Sequence, residues 1–283
     1  MTTEEFIAEV KNSEFNYPEF DEEYAEFQTY QLLVRQTLKE FHRVCELNGI
    51  PYQLAYGTAI GALRDNGQIP WDYDADVFVP YCEKEHLIKA LDKDLSKDYY
   101  YMSPEIDPKC RHYFIRVAPR EYRSAALHLD VFYVIGAPDE DPLTFGKQIR
   151  RLISMRYIKR IDVRTELYES KKDQIDILLR RLRYCLVPMG KIDAEFDGLC
   201  RKYDFHRSHN QLVTDFYSDR QLFHSDMWNT EFIKTCGGEF RIASSADEIL
   251  RDLYGEYRSL PPLEERIREF RRSCHRIRRI NQK

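Results

Sequence analysis

A chain of 283 residues with 43% hydrophobic content can bury a substantial core, so a globular protein of one large or two small domains is expected. The formal charge of −5 is unevenly spread: Arg266 to Lys283 carries eight Lys/Arg against Glu269 alone, +7, which leaves −12 on the remainder. An acidic body without a stacking platform argues against nucleic acid as partner, and the lack of an apolar run of about 18 residues argues against a membrane span.

Residues 1–26 are acidic and aromatic without clear periodicity and read as an arm laid over the body. Their opening, "MTTEEFIAEVKNSEF", is too acidic for a leader, so a cytoplasmic location is expected. From Tyr30, the positions Val34, Leu38, Phe41 and Cys45 recur at helical spacing, with Gly49 as the stop. "IPYQLAYG" alternates as a strand ending in a glycine turn, and "TAIGAL" reads as a short helix. In "DADVFVP", Ala75, Val77 and Val79 share one face while Asp74, Asp76 and Phe78 share the other, and Pro80 ends the strand. After a helix near Lys84–Leu95 come "YFIRVAP" and "ALHLDVFYVIGAP". In the second, Leu127, Leu129, Val131, Tyr133 and Ile135 oppose His128, Asp130 and Phe132. Residues 143–205 predict two or more helices interrupted at Pro188-Met189-Gly190, 206–245 are mixed, and "ADEILRDLYGEYRSLPP" is a short helix ending at Gly255. The tail sets Leu263, Ile267, Phe270, Cys274 and Ile277 at helical spacing among arginines. Seven scattered cysteines without a C-x-x-C pair read as reduced packing residues; Cys110 and His112 lack the second pair of ligands that a zinc site needs.

Acids at alternate positions of a strand project from one face, where they repel one another unless a cation compensates them. If the strand of Asp74 and Asp76 lies beside that of Asp130, three carboxylates converge, and hard oxygen ligands suit Mg²⁺ or Mn²⁺ with substrate phosphate completing the shell. Asp72 either joins that metal site or caps the turn after Pro70-Trp71. Gly57 permits close backbone approach, and Thr58 either caps the following helix or helps hold phosphate oxygens. Arg64 offers a bidentate phosphate contact, and Trp71 is either a core anchor or a wall of a donor pocket.

This order resembles the nucleotidyltransferase superfamily, and within it the LicD family, through "CELNGIPYQLAYGTAIGALRDNGQIPWDYDADV" from Cys45, "LHLDVFYVIGAP" around Asp130 and "LRDLYGEYRSLPPLEER" from Leu250. Tyr73 departs from the pattern, which commonly has Asp there; altered substrate fit is the expected consequence. The resemblance implies transfer of a phospho-alcohol, typically phosphocholine, from a CDP-activated donor such as CDP-choline to a sugar hydroxyl of teichoic acid, lipopolysaccharide or capsule, with release of CMP. It implies Asp74 and Asp76 as metal holders, Asp130 as the acceptor-side acid, and Gly57, Thr58 and Arg64 as the diphosphate cradle.

The expected fold is α/β (α+β): a small mixed sheet carrying the acids, flanked by helices. Residues 1–26 form the arm, 27–138 the catalytic core, 139–260 a mainly helical acceptor-side portion and 261–283 a basic amphipathic tail. A choline headgroup would want ring faces, and Phe216, Tyr217, Phe223 and Trp228 are the candidate cage. Two readings stay open for the tail: a helix on an anionic membrane near a lipid-linked glycan acceptor, or a helix packed on the body. The competing functions are a nucleotidyltransferase adding NMP to a small molecule, and a catalytically silent scaffold.

Overall fold

Nine successive buried residues, Leu129–Ala137, form the central strand β5 of a seven-stranded mixed sheet. The structure is a computed structural model and describes residues 1–161, 171–215 and 221–281. One edge of β5 pairs in parallel with β2 (Ala75–Pro80), which pairs with the short β1 (Gln53–Leu54). The other edge is shared: Leu129 and Val131 face β4 (Ile115–Pro119), itself paired with β3 (Tyr99–Met102), whereas Val134–Ala137 face β6 (Asn210–Val213), itself paired with β7 (Leu222–His224). A parallel strand buried on both faces reads as a continuous apolar run, which accounts for the composition of β5.

The alternation sorts the two faces as expected. Val77, Val79, Leu129, Val131 and Tyr133 enter the main core, and Phe78, Phe132 and Val134 enter a second, smaller apolar cluster on the opposite side. The acids of β2 and β5 stand on that second side. The fold class is therefore α/β, with helices α1 (Thr3–Lys11), α2 (Phe20–Asn48) and α4 (Lys84–Asp94) contributing buried side chains to the main core.

The amino-terminal segment is more regular than its pattern suggests. Thr2 caps α1 in a reciprocal box with Glu5, and Phe6 and Val10 are buried. Helix α2 starts ten residues before Tyr30, because Phe20, Tyr24 and Phe27 continue the same apolar stripe, and it ends at Gly49 with φ +64°, as expected. Residues 143–205 supply α5 (Pro142–Arg160), α6 (Lys171–Arg183) and α7 (Met189–Cys200). Among the described residues of 206–245, β6 and β7 extend the main sheet, Ser225–Trp228 forms a short 3-10 helix, and β8 (Thr230–Thr235) pairs with β9 (Gly238–Ala243) as a separate hairpin.

Helix α8 (Ala246–Tyr254) precedes α9 (Leu263–Asn281). On α9, Ile267, Phe270, Cys274 and Ile277 are buried in the main core, Arg266 pairs with Glu9, and Arg278 pairs with Glu23 and Glu26. The apolar stripe of the tail thus packs on the body and is not available to a membrane; the acidic amino-terminal helices neutralise part of its basic face. Among the described residues no helix is long and apolar enough to cross a membrane.

The short helix α3 (Tyr56–Ile60) runs into a π-helical turn, Gly61–Asp65. A Cβ on Gly61 would stand 2.4 Å from the Gly67 carbonyl oxygen and 3.2 Å from the Ile69 nitrogen. Both are backbone atoms of the loop leading to Asp72. Gly61→Ala is expected to cost about 1–3 kcal/mol by overpacking, read from urea unfolding midpoints. A loss below about 0.5 kcal/mol, the size of an ordinary surface change, would show that the loop gives way without strain.

Candidate active site

Register brings the acids together. Asp76 lies opposite Asp130 across the parallel β2–β5 pair, and Asp74 is one pleat before Asp76. Burial first, and then repulsion from Asp72, Asp76 and Asp130, pushes the Asp74 carboxyl well above the usual carboxylate range; Asp76 is raised likewise by burial and by Asp130 and Asp72. Asp72 is raised chiefly by burial, while a hydrogen bond between its carboxyl and that of Asp74 opposes the rise. The site is short of positive charge.

One cation is already present. Arg116 on β4 stands opposite Asp130 in register and donates from Nε to Oδ1 at 2.8 Å and from Nη2 to Oδ2 at 3.3 Å, with its guanidinium over the Phe114 ring. Beside this pair lies His128, whose Nε2 is 3.6 Å from Asp130 Oδ2 and 3.9 Å from Asp74 Oδ2, too far for hydrogen bonds. Burial pushes the His128 imidazole down to about 3, so it is neutral near pH 7. Tyr73 packs its ring edge-on against His128 within the main core. The residue that departs from the family pattern therefore faces the core, and the acids beside it are unchanged.

The turn before the acids is tightly built. Tyr56 has φ +45°, a strained value for a bulky residue, and its ring is fixed against Phe78 and Phe132. A Cβ on Gly57 would meet Asp72 Oδ2 at 2.9 Å, so a larger residue there would push the Asp72 carboxyl aside. Thr58 accepts a hydrogen bond from the Asp76 backbone N–H at 2.8 Å, tying the turn to β2. A void of about 10 Å³ lies between this turn, α2 and Asp72.

Arg64 and Trp71 are not free to line a donor pocket. The Arg64 guanidinium chelates Asp65, donates to the Tyr257 carbonyl and lies over the Trp71 ring. Trp71 is buried against Phe6, with Arg266 on its ring, so it is the core anchor of its turn. Phe216 and Tyr217 of the expected alcohol cage lie outside the described residues. Trp228 is half-buried, packs edge-on against Phe205 and donates to Gln211, and Phe223 is buried against Phe78.

Four contributors were not singled out beforehand. Arg116 carried the same signal as Asp130, a lone charge in an apolar strand. Asp215 raises Asp76 by its charge, and on α9 Glu269 raises Asp72 while Arg276 lowers both Tyr73 and His128, so the tail helix borders the site. The sharing of these walls is a tertiary property without a local signature.

As a test of fit to a metal ion, the oxygen donors of Asp74 and Asp76 and their suppressed acidity suit a hard divalent cation. Asp130 is occupied by Arg116, and among the described residues no set of three His, Cys, Asp or Glu side chains is arranged as a ready-made metal site. Cys110 donates to the His112 carbonyl and the His112 ring stacks on Phe114, so this pair does not form a zinc site.

A cavity of about 500 Å³ lies between residues 112–114, just before β4, and helices α5 and α6. Phe114 in its wall touches Phe132, two residues beyond Asp130, and carries the Arg116 guanidinium that holds Asp130. Thr214 and Asp215 close the same side, with the Thr214 N–H bonded to the Tyr133 carbonyl.

The family described as "LicD/FKTN/FKRP, nucleotidyltransferase domain" matches residues 49–150, the span that contains all four aspartates, Arg116 and His128. The lipopolysaccharide cholinephosphotransferase LicD of Haemophilus influenzae is 26% identical over 255 residues, covering 83% of this chain and 92% of that protein. An uncharacterized protein of Rickettsia prowazekii is 35% identical over 60 residues, 21% of this chain and 23% of that one. The matching domain coincides with the acid-bearing strands, and the similarity to the Haemophilus LicD protein continues over most of both chains.

Proposed function

We propose that the chain is a phosphotransferase that moves a phospho-alcohol, phosphocholine foremost, from a CDP-activated donor to a sugar hydroxyl of a cell-surface glycan such as lipopolysaccharide, releasing CMP. The observation that carries this reading is the register pairing of Asp76 with Asp130 beside Asp74. The similarity to a lipopolysaccharide cholinephosphotransferase supports it.

In this mechanism Asp74 and Asp76 would hold Mg²⁺ or Mn²⁺, which when bound would supply charge neutralisation to the diphosphate and the departing CMP. Asp130, oriented by Arg116, accepts the hydrogen bond of the acceptor hydroxyl and takes its proton. The hydroxyl oxygen bonds to the phosphorus bearing the alcohol, and the bond from that phosphorus to the bridging oxygen breaks. CMP leaves with the bonding electron pair. Tyr56, Gly57 and Thr58 fix β2 so that the acids meet the diphosphate in one geometry.

The cavity walled by Phe114 takes the nucleoside end of the donor. A quaternary ammonium needs open ring faces, and here Arg111 lies over Tyr157, Arg116 over Phe114 and Arg156 over Tyr113. A further cation is repelled there, whereas a flat base fits among Phe114, Tyr157, Ile153 and Ile177. Ser154→Trp, at an exposed position on the cavity wall, is expected to raise KM for CDP-choline about tenfold with kcat little changed, the pattern of lost uniform binding. An unchanged KM would place the nucleoside elsewhere.

The reading as a whole is tested by CMP release from CDP-choline, CDP-ethanolamine, CDP-glycerol and CDP-ribitol with Mg²⁺ or Mn²⁺, Asp74→Asn serving as control. Slow metal-dependent hydrolysis of one donor, absent in the variant, is expected. No consumption of any donor, together with no calorimetric binding of any, would overturn it.

A further inference from the structure

Helix α6 carries most of its large apolar side chains on its outer face. Ile177 is buried and lines the cavity, while Ile175, Leu178, Leu179 and Leu182 are 46% to 68% exposed, and Leu186, in the turn that follows, is 92% exposed. Spaced at i, i+3, i+4 and i+7, the exposed residues form one stripe opposite Ile177. A contiguous stripe of this kind marks a docking surface, unlike the scattered exposed leucines found elsewhere on the chain.

The charges beside the stripe select the occupant. Lys172, Arg180 and Arg183 are exposed on the same helix, Asp176 is paired with Arg180, and the helix sequence carries five Lys/Arg against Asp173 and Asp176, a formal +3. A second copy docked stripe to stripe about a two-fold axis would set this positive surplus against an equal one. An anionic lipid surface satisfies both features, accepting the leucines at the headgroup boundary and the guanidiniums at lipid phosphates. The tail helix α9, for which the sequence left a membrane helix and a body-packed helix open, cannot do this with its apolar stripe in the core. We propose that the outer face of α6, from Ile175 to Leu186, docks the protein on an anionic membrane surface. The inference rests on the transferase reading only in its purpose, which is to bring the acid site to a membrane-linked glycan acceptor.

The test is flotation with vesicles of phosphatidylcholine alone or mixed with phosphatidylglycerol, at low and high salt, with sedimentation of the free protein alongside. Wild type is expected to float with the anionic vesicles at low salt and to be released by salt. Leu179→Asp/Leu182→Asp should lose at least tenfold in vesicle binding, and Leu47→Asp, at another exposed leucine, should bind as wild type does. Both variants change exposed positions, and lipid-free CMP release from CDP-choline should stay at its wild-type level in each. Failure of wild type to float at low salt overturns the proposal, as does undiminished flotation of the α6 variant. A wild-type dimer that the α6 variant converts to monomer, without lipid binding by either, overturns it in favour of a second copy. Flotation is read without turnover, so a protein that floats but consumes no CDP-alcohol would sink the transferase reading and leave the docking surface standing.

Discussion

Asp76→Asn is expected to lower metal-supported CMP release by about 10²–10³-fold or more, the scale of losing one preorganised electrostatic contact in a catalytic site, and to make the metal-free protein more stable. Both effects have one origin. Asp76 faces Asp130 across adjacent strands and is raised by burial and by Asp130 and Asp72. A carboxyl whose pKa is raised in the folded state binds more protons folded than unfolded, so folding stability falls as pH climbs from the ordinary carboxylate range up through the raised value. The loss is complete above that value and absent below the unfolded one. Asn keeps the shape and removes the charge. Without metal, the wild-type melting temperature should therefore decline as pH rises above the ordinary carboxylate range, and that of Asp76→Asn should decline less, the raised Asp74 remaining in both. Adding Mg²⁺ or Mn²⁺ should raise the wild-type value and shift the variant less. If the two proteins show the same pH profile and the same turnover, Asp76 is neither repelled nor used.

The acid strands were legible because alternation is a local property. In β2 and β5, polar and apolar residues separate at period two, so the face of Asp74, Asp76 and Asp130 followed from the sequence, and parallel pairing then placed Asp76 against Asp130. Which partner a polar side chain meets is not local. Arg64 next to a glycine-rich turn suits a diphosphate by type, yet its guanidinium is committed to Asp65 beside it and to the carbonyl of Tyr257, far along the chain. Trp71 looks equally suited to a pocket wall and to a core until Phe6 arrives from the amino terminus. The start of α2 was obscured because Asp21, Glu22 and Glu23 interrupt an apolar run that resumes one turn later; acids there favour a helix start through the macrodipole. Strands β6 and β7 are short, and β7 has no alternation long enough to announce it.

The tail shows how periodicity identifies a face without identifying its partner, and Phe270→Ala measures what that partner is. Phe270 is fully buried, edge-on to Phe27 at 5.0 Å and in ring contact with Tyr24 and Phe20 at 5.3 and 5.9 Å. Truncating a buried Phe removes its transfer free energy and leaves a cavity, about 3–5 kcal/mol together, against a typical total of about 5–15 kcal/mol. The variant should unfold at markedly lower urea, and Cys274→Ala, which removes one buried atom nearby, should lose far less. Because Glu269 and Arg276 of the same helix act on Asp72, Tyr73 and His128, loosening α9 also loosens one wall of the acid site. Turnover should therefore fall before global unfolding, with KM for the donor rising at temperatures where circular dichroism still reports a folded chain. A tail lying free for a membrane predicts the opposite: Phe270→Ala would leave the urea midpoint and donor KM unchanged and weaken only vesicle binding. The contacts of Phe270 with three rings of α2 make the first outcome the expected one, and they make α9 a structural wall of the site whose removal would unfold the core.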